Sequence, residues 1–210
     1  MQIKADVYEK QLSSHFVLNT LSTIHFLIDH DQPVASEMMQ EFLQYTKHVI
    51  KMAKSAPWNS AEIEIAFAEH YANLMKMRFE ECYNVSYDID VREFKLPLFS
   101  CKLLLENAFY HGVRNIGEQG RMSIRTFRRE DGRFVLEVSD NGEGFDVEEM
   151  WREAEKKGST LWQIKTAVSE DETAELTVES HKTSRDEILE KWGDQIPPMN
   201  TVIRITSQNL

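Results

Sequence analysis

The segment Asp140-Asn141-Gly142-Glu143-Gly144 constrains this chain more than any other feature. It follows Phe134-Val-Leu-Glu-Val138, an alternating apolar run that predicts a strand. Alone, Asp-Asn-Gly is a common turn sequence, because Asn and Gly tolerate positive φ. The upstream segment Leu103-Leu-Leu-Glu-Asn-Ala108 shifts the interpretation from a turn to a binding site.

The two segments together supply the groups that an ATP site requires. Asp140 can accept a hydrogen bond from an adenine amino group, and Gly142 and Gly144 let the backbone approach a nucleotide. Asn107 can offer an amide oxygen to Mg²⁺, its alternative role being a helix-end hydrogen bond. We therefore predict an ATP site with Mg²⁺ held at Asn107.

These segments resemble the asparagine box and first glycine box of the GHKL ATPases, specifically of LytS-type sensor histidine kinases. Ser14-His15-Phe16-Val17-Leu18-Asn19 is similar to the histidine motif of that family, with Ser in place of Pro. Met77-Arg78-Phe79 also falls where the family places similar residues. The resemblance runs from about Gln11 to Ile205, nearly the whole chain.

The resemblance implies two catalytic residues. His15 would accept the γ-phosphoryl group, whereas an unselected His in a helix is usually a surface residue. Glu106 would accept the imidazole proton or lie near the metal, its alternative being a solvated helix charge. Tyr110 stands where many histidine kinases carry a phosphate-binding Lys, so His111 or Arg114 is expected to substitute for it.

The second glycine box departs from the family pattern. The family has roughly Gly-x-Gly-Leu, whereas this chain has Gly158-Ser159-Thr160-Leu161. Gly158, Thr160 and Leu161 remain the expected phosphate-binding segment, because the N-terminus of a helix presents free N–H groups. Thr201 matches a position that assists adenine binding, although Asn200 replaces the usual Gly before it. The altered segment predicts slow turnover.

Residues 1–56 are predicted to form a helical hairpin for dimerisation and histidine phosphotransfer. Apolar residues from about Val7 to Asp29 and from Val34 to Lys54 indicate two helices, separated at His30-Asp31-Gln32-Pro33. Ala35, Met39, Phe42, Thr46, Val49 and Ala53 give the second helix a seam. A lone hairpin cannot bury so wide an apolar face, which predicts a homodimeric four-helix bundle.

Residues 57–210 are predicted to form the ATP-binding catalytic domain. Pro57 marks the hinge, and Asn59 is expected to cap the next helix. Strands are predicted at Val85–Ile89, on both sides of the turn Arg129-Glu-Asp-Gly132, at Leu176–Glu179 and at Val202–Thr206. The predicted fold is α+β, a helical hairpin followed by a GHKL (Bergerat-type) α/β sandwich.

Composition excludes some functions. A net charge of −11 over 210 residues argues against a general nucleic-acid binder. Cys82 and Cys101 lack metal-ligand spacing and indicate reduced thiols in the cytoplasm. No apolar run is long enough to span a membrane. The family usually carries sensory segments before its His motif, so the resemblance implies the cytosolic part of a sensor, reaching a membrane only through a segment absent from this chain.

The function expected from the resemblance is that of a two-component sensor histidine kinase. The phosphoryl group would pass from ATP to His15 and then to an aspartate of a response-regulator receiver domain. Two alternatives remain: a degenerate GHKL protein that binds nucleotide as a scaffold or sensor without autophosphorylation, and a GHKL protein serine kinase.

Overall fold

The computed structural model describes residues 14–52, 54, 56–79, 83–192 and 195–208. The chain forms two compact units, a helical unit of Met1–Ala56 with Ala66–Glu81 and a sheet unit of Pro57–Ile65 with Cys82–Leu210. The helical unit thus takes in residues beyond the predicted hairpin. Residues 7–13 of the predicted first helix, Ala53 of the predicted seam, and Cys82 lie outside the described residues.

The helices, in chain order, are α1 Ser14–His30, α2 Gln32–Met52, α3 Ala61–Arg78, α4 Ser100–Asn107, α5 Val147–Lys157, α6 Thr160–Val168 and α7 Arg185–Trp192. The strands are β1 Trp58–Ser60, β2 Tyr83–Ile89, β3 Lys95–Pro97, β4 Gly120–Arg128, β5 Phe134–Asp140, β6 Glu175–Ser180 and β7 Thr201–Ser207. Helices before a mixed sheet confirm the predicted α+β class.

The predicted break between the first two helices is confirmed. The Asp31 carboxylate caps α2 by accepting a hydrogen bond from the Val34 N–H at 3.2 Å. The buried seam of α2 differs from the predicted one, since Met39 is exposed and Met38 is buried. The observed seam is Ala35, Met38, Phe42, Tyr45, Val49 and Met52.

Tyr45 sets the observed seam because its ring occupies an aromatic cluster. Its ring centroid lies 5.0 Å from that of Phe16 on α1 and 4.8 Å from that of Phe67 on α3. Aromatic pairs at this spacing contribute beyond the area they bury. The predicted seam is confirmed at Ala35, Phe42 and Val49, but Met38 and Tyr45 take the places predicted for Met39 and Thr46.

The main sheet has the strand order β2-β4-β5-β7-β6. β2 pairs in parallel with β4, and the remaining neighbours are antiparallel. The predicted hairpin between β4 and β5 is confirmed, with Gly132 at a φ of 84°. Every residue of the central strand β5 is buried, which places the C-terminal end of β5, at Asp140, in the interior.

α3 and α4 begin with different caps. Ser60, rather than the predicted Asn59, caps α3, because its Oγ accepts from the Ile63 N–H at 3.4 Å. α4 follows Phe99, which has a φ of 66° and no side-chain cap of its own. The buried Glu64 of α3 accepts from the Phe99 N–H at 2.8 Å and so orders the start of the helix that carries Asn107.

Candidate functional site

Asn107 lies where α4 changes into a π-helical turn, Ala108–Gly112. Single π-helical turns occur frequently at functional sites. The Asn107 side chain is half-buried, and no group in the described part of the chain hydrogen-bonds its amide. Its oxygen is therefore available to a ligand.

Asp140 ends β5 with a carboxyl group that is nearly inaccessible. The residue is 3% exposed, and its Oδ1 accepts from the Gly142 N–H at 2.9 Å. Burial raises the pKa of Asp140 to about 7, because the charged form loses its hydration, and the Gly142 N–H only partly offsets this. Asp140 is thus poised to change protonation near neutral pH.

Two glycines make room for the Asp140 carboxyl group. A Cβ on Gly112 would lie 2.4 Å from Asp140 Oδ1, and a Cβ on Gly142 would lie 2.3 Å from the Gly112 Cα. Both distances are shorter than the contacts that a Cβ atom makes in proteins, so neither glycine can be replaced without a shift of its neighbours. The end of the π-helical turn and the predicted glycine segment therefore contact each other through backbone.

Thr201 stands opposite Asp140 in the pairing of β5 with β7. It is 2% exposed, and its hydroxyl is 2.9 Å from the Ser180 hydroxyl. Ser180 in turn accepts from the Phe145 N–H at 3.0 Å. Asn200, in the place of the family's Gly, donates through its side chain to the Gly142 carbonyl at 2.9 Å.

The sheet unit contains a cavity with a volume of about 450 Å³. We call it the α5–α6 cavity. Five predicted site residues line it: Asn107, His111, Gly144, Thr160 and Leu161. Its other lining residues are Phe145, Met150, Glu153, Ala154, Lys157 and Ser159. Glu106, Asp140, Gly142, Gly158 and Thr201, also predicted, do not line it.

The segment between α5 and α6 shapes one wall of this cavity. Gly158 ends α5 at a φ of 58°, and the Ser159 Oγ caps α6 by accepting from the Trp162 N–H at 3.5 Å. Thr160 therefore occupies the first position of α6, where backbone N–H groups lack partners within the helix. The replacement of the second glycine leaves this helix N-terminus formed.

Lys157 and Glu153 form an ion pair on the cavity wall. The Lys157 Nζ is 2.7 Å from the Glu153 Oε2, and this contact raises the pKa of Lys157 and lowers the pKa of Glu153. Both side chains are largely solvated, so the pair itself is weak. The cavity thus has a solvent-exposed cation among its lining residues.

Glu106 pairs with a lysine that sequence reasoning did not single out. The Lys102 Nζ lies 2.6 Å from the Glu106 Oε2 one turn along α4. Burial lowers the pKa of Lys102, and the Glu106 charge opposes that effect. Because the ammonium group is buried while the carboxylate is a third exposed, Glu106 is held in one orientation.

His15 is exposed in the first turn of α1. The Asn19 amide lies 3.0 Å from the His15 Nε2, one turn later on the same helix. Phe16 points elsewhere, into the aromatic cluster with Tyr45 and Tyr71. The helix thus directs a half-buried aromatic ring to one side and leaves the histidine open to solvent.

Gly112, Lys102 and Lys157 are site residues that sequence reasoning did not single out. Gly112 contacts Asp140, which is distant in sequence, although a glycine soon after Asn107 suggests close backbone approach. Lys157 had a weaker signal, its place just before Gly158 at a helix end. Lys102 had a local signal, because it lies four residues before Glu106 and charges at that spacing on a helix can pair. Its burial had no such signal, because burial depends on tertiary packing.

Comparison with known proteins adds independent findings. A family model described as histidine kinase matches residues 3–83. The chain is 30% identical over 144 residues to the sensor protein LytS of Staphylococcus saprophyticus, covering 68% of this chain and 24% of that protein. It is also 30% identical over 142 residues to the sensor histidine kinase BtsS of Escherichia coli, covering 67% and 25%. The chain spans about a quarter of the length of these relatives.

Solved histidine kinase structures also align with the chain. The Acinetobacter baumannii histidine kinase AdeS covers 95% of this chain at 10% identity, with 96% of AdeS covered and a TM-score of 0.48. The histidine kinase domain of the Erythrobacter litoralis blue-light activated kinase EL346 covers 92% at 15% identity, with 92% of it covered and a TM-score of 0.45. Among the described residues, no helix has both the length and the apolarity needed to cross a bilayer.

Proposed function

The chain belongs to the histidine kinase family, in its LytS-type branch, and from this premise we propose that it transfers the γ-phosphoryl group of ATP to His15 and then to an aspartate of a response-regulator receiver domain. One observation carries the proposal. Asn107, His111 and the N-terminus of α6 line one cavity, and Gly112, five residues beyond Asn107, packs on Asp140. The side chains that we propose as metal ligand, phosphate-binding groups and adenine acceptor therefore belong to one unit.

Adenine recognition is assigned to Asp140. Its Oδ1 already accepts from Gly142, so the second oxygen is the acceptor proposed for the adenine amino group. Because Asp140 is only 3% exposed, adenine reaches it only after the neighbouring residues move apart. The proposal therefore includes an opening of the sheet unit at Gly142 and Gly144 when nucleotide binds.

The residues present fit a magnesium ion held jointly with the nucleotide. The described residues contain no cluster of three His, Cys, Asp or Glu suited to a metal. Asn107 would therefore be the single protein ligand proposed, with phosphate oxygens and waters completing the shell. When bound, Mg²⁺ neutralises charge on the phosphates. Asn107 positions the phosphates in this scheme.

The phosphate groups are assigned to one end of the α5–α6 cavity. The N-terminus of α6, at Thr160 and Leu161, offers backbone N–H groups and the positive end of the helix dipole. His111 and Lys157 are the cationic or proton-donating side chains among the lining residues. Lys157 would exchange its solvated contact with Glu153 for a phosphate oxygen.

Transfer to His15 needs a neutral imidazole. One ring nitrogen forms the bond to the γ-phosphorus, the bond to the bridging oxygen breaks, and ADP leaves. The ring N–H proton then has to reach a base, for which we propose Glu106. Its carboxyl group is a third exposed and lies 2.6 Å from the Lys102 Nζ, which holds it in place to receive the proton. Catalysis would rest on positioning and electrostatics.

The proposal also names the partners of this chain, a second copy of itself and a response regulator. Leu18, Leu21 and Leu43 are exposed on α1 and α2, and a second copy of the chain is proposed to cover them in a four-helix bundle. The domain assignment that accompanies it is residues 1–56 for dimerisation and phosphotransfer and 57–210 for ATP binding. The use of ATP and of a response regulator places the reaction in the cytoplasm.

Thr160 supports one alternative, a nucleotide-binding scaffold without autophosphorylation. A threonine where the family has a second glycine restricts the backbone beside the phosphates, although α6 still begins there. Such a protein would bind ADP and ATP through Asp140 and Asn107 and would leave His15 unmodified. The serine-kinase alternative differs because its product is a phosphate ester.

Incubation of the whole chain with γ-labelled ATP and Mg²⁺ tests the function. We expect label that is lost in acid and kept in base, as for a phosphoramidate, and that disappears in His15→Gln. His25→Gln, at another exposed histidine of α1, is the matched control and should keep the label. Acid-stable label would indicate a serine kinase. Absence of label with intact ATP binding would favour the scaffold.

A further inference from the structure

The connection between β6 and β7 is far longer than the strand pairing requires. β6 and β7 are antiparallel neighbours, which two to five residues can usually join. Here residues 181–200 separate them, and the connection contains its own helix, α7. Long connections within compact domains are frequently functional.

The connection is attached at both ends to the segment 140–144. The Asn200 N–H donates to the Asp140 carbonyl at 2.7 Å, and the Thr183 N–H donates to the Glu143 carbonyl at 2.7 Å. The Asn141 amide donates to the Pro197 carbonyl at 3.4 Å. These bonds tie the connection to the backbone that presents Asp140.

A second cavity, of about 370 Å³, lies between the connection and this segment. We call it the connection cavity. Its lining includes Asn141 and Gly142 on one side and Lys182, Ile188, Lys191 and Trp192 from the connection. None of these residues lines the α5–α6 cavity, so the two cavities meet the segment 140–144 at different residues.

Among the described residues that line the connection cavity, the two lysines Lys182 and Lys191 outnumber the single carboxylate, Glu187. Glu187, which also lines it, already accepts from the Ser184 N–H at 2.8 Å and the Ser184 hydroxyl at 2.9 Å. Within the described chain, neither Lys182 nor Lys191 forms an ion pair. Apolar surface accompanies this charge, from the buried Ile188, from Trp192 and from Met199.

We propose that the connection cavity binds a small organic carboxylate with an aromatic body, and that its occupancy changes nucleotide affinity. The ammonium groups of Lys182 and Lys191 would hold the carboxylate, and the apolar residues would hold the ring. A ligand here contacts Gly142, whose N–H is bonded to Asp140. The coupling half of the proposal rests on the proposed nucleotide site, whereas the binding half does not.

Phenylacetate is the probe for the binding half, measured by calorimetry on the whole chain. We expect it to bind, and phenylacetamide, its neutral isostere, to bind at least about tenfold more weakly, since a charge-assisted contact is lost. The double change Lys182→Ala and Lys191→Ala should weaken phenylacetate by at least about tenfold. The matched control Lys95→Ala and Lys156→Ala should leave its affinity unchanged.

The coupling half is tested by titrating ADP with and without saturating phenylacetate. We expect ADP affinity to change at least about threefold, and phenylacetate affinity to change by the same factor with saturating ADP. The change should vanish in the Lys182 and Lys191 double variant. Equal binding of phenylacetate and phenylacetamide, or equal weakening in the control, would overturn the site. An unchanged ADP affinity would overturn the coupling.

The two proposals fail in different ways. If ADP does not bind at all while phenylacetate still distinguishes the double variant from its control, the nucleotide assignment and the coupling are wrong and the connection cavity stands. If ADP binds and phenylacetate does not, the connection cavity is wrong and the nucleotide assignment stands.

Discussion

Two buried carboxyl groups show how single residues respond to the interior of the sheet unit. Glu64 is fully buried, and burial raises its pKa to about 8, because the Phe99 N–H only partly replaces lost hydration. Burial raises the pKa of Asp140 in the same way, to about 7. Glu64 holds the start of α4 and Asp140 faces Gly112 near the other end, so both act on the segment that carries Asn107.

The first prediction concerns the pH dependence of adenine binding. The acceptor is the ionised carboxylate, so lowering the pH from 8 to 6, through the Asp140 pKa of about 7, should weaken adenosine binding about tenfold. Asp140→Asn should bind adenosine more weakly and show no such dependence. Asn107→Ala should instead remove the Mg²⁺-dependent part of ATP binding. Calorimetry at several pH values measures all three, and identical pH profiles for wild type and Asp140→Asn would contradict the adenine assignment.

The second prediction concerns stability and Glu64. A carboxyl group whose pKa is higher in the folded state than its ordinary 4.5 binds its proton more tightly when folded. Its contribution is therefore complete below about pH 4.5 and is lost as the pH rises through about 8. Between these values the free energy of unfolding should fall by up to about 1.4 kcal/mol per pH unit.

Glu64→Gln should remove that slope, which urea unfolding at a series of pH values measures. Glu62→Gln, on the exposed face of the same helix, is the matched control and should keep it. A slope that survives in Glu64→Gln would show that Glu64 is not the titrating group.

At the scale of elements, a ladder of alternating charge crosses the main sheet. Arg125 of β4 bonds Asp88 of β2 at 3.1 Å and Glu137 of β5 at 3.3 Å. Glu137 also bonds Arg204 of β7 at 2.6 Å, and Arg204 reaches Glu179 of β6. Each strand of the sheet contributes one charge, so the ladder favours the observed strand order and register.

The third prediction is that the ladder stabilises the sheet through its centre rather than its edge. Glu137→Gln removes a carboxylate that is 9% exposed and leaves Arg125 paired only with Asp88 and Arg204 only with Glu179, so we expect a loss of about 2 kcal/mol. Asp88→Asn, at a site 69% exposed, should cost at most about 0.5 kcal/mol. Urea midpoints compare the two variants, and equal losses would exclude a central role for Glu137.

α5 and α6 form one wall of the candidate site, and the Lys165 side chain of α6 contacts a tryptophan ring on each helix. The Lys165 Nζ of α6 lies 4.4 Å from the Trp151 ring centroid on α5 and 5.3 Å from that of Trp162. This contact holds the two helices beside each other while Lys157 stays free to leave Glu153.

The fourth prediction assigns the phosphate contact to Lys157. Lys157→Ala should weaken ATP binding about tenfold and leave adenosine binding unchanged, because only the charge on the phosphates is lost. Lys156→Ala is the matched control, since Lys156 also neighbours Glu153 but does not line the cavity. Calorimetry distinguishes them, and equal effects of the two changes would rule out a specific contact.

At the scale of the whole molecule, the exposed apolar residues of the helical unit are the proposed interface between two copies of the chain. Leu18 is 62% exposed, Leu21 41% and Ile50 57%, although each is a large apolar side chain. Phe42 belongs to the seam that the sequence pattern predicted. It is already buried within a single chain, where only 9% of its surface is exposed. The two positions therefore test different properties, assembly at Leu21 and folding at Phe42.

The fifth prediction is that Leu21→Glu yields a folded monomer. A charge in a dry interface between copies has no partner, so the dimer should dissociate while helical content is kept. Phe42→Glu should instead lower helical content. Light scattering and circular dichroism measure the two effects. A wild-type chain that stays monomeric at high concentration would count against the four-helix bundle.

The sequence by itself determined helices α1 to α3, the five strands of the main sheet, the break at Asp31, the β4–β5 hairpin and the α+β class, whereas β1, β3, α5 and α7 were not predicted. These depend on local properties, namely apolar period, caps and glycine turns, which can be recognised within a short segment. The spacing of the α2 seam belongs here too, because a heptad is a property of one helix.

Tertiary structure alone decided that Tyr45 and not Thr46 belongs to that seam, since the position of the Tyr45 ring depends on Phe16 and Phe67. It also decided that Gly112 packs on Asp140, that Lys102 is buried, and that Lys157 faces the cavity. The raised pKa values of Glu64 and Asp140 have the same origin, because desolvation depends on every group that surrounds a carboxyl and not on its neighbours in sequence.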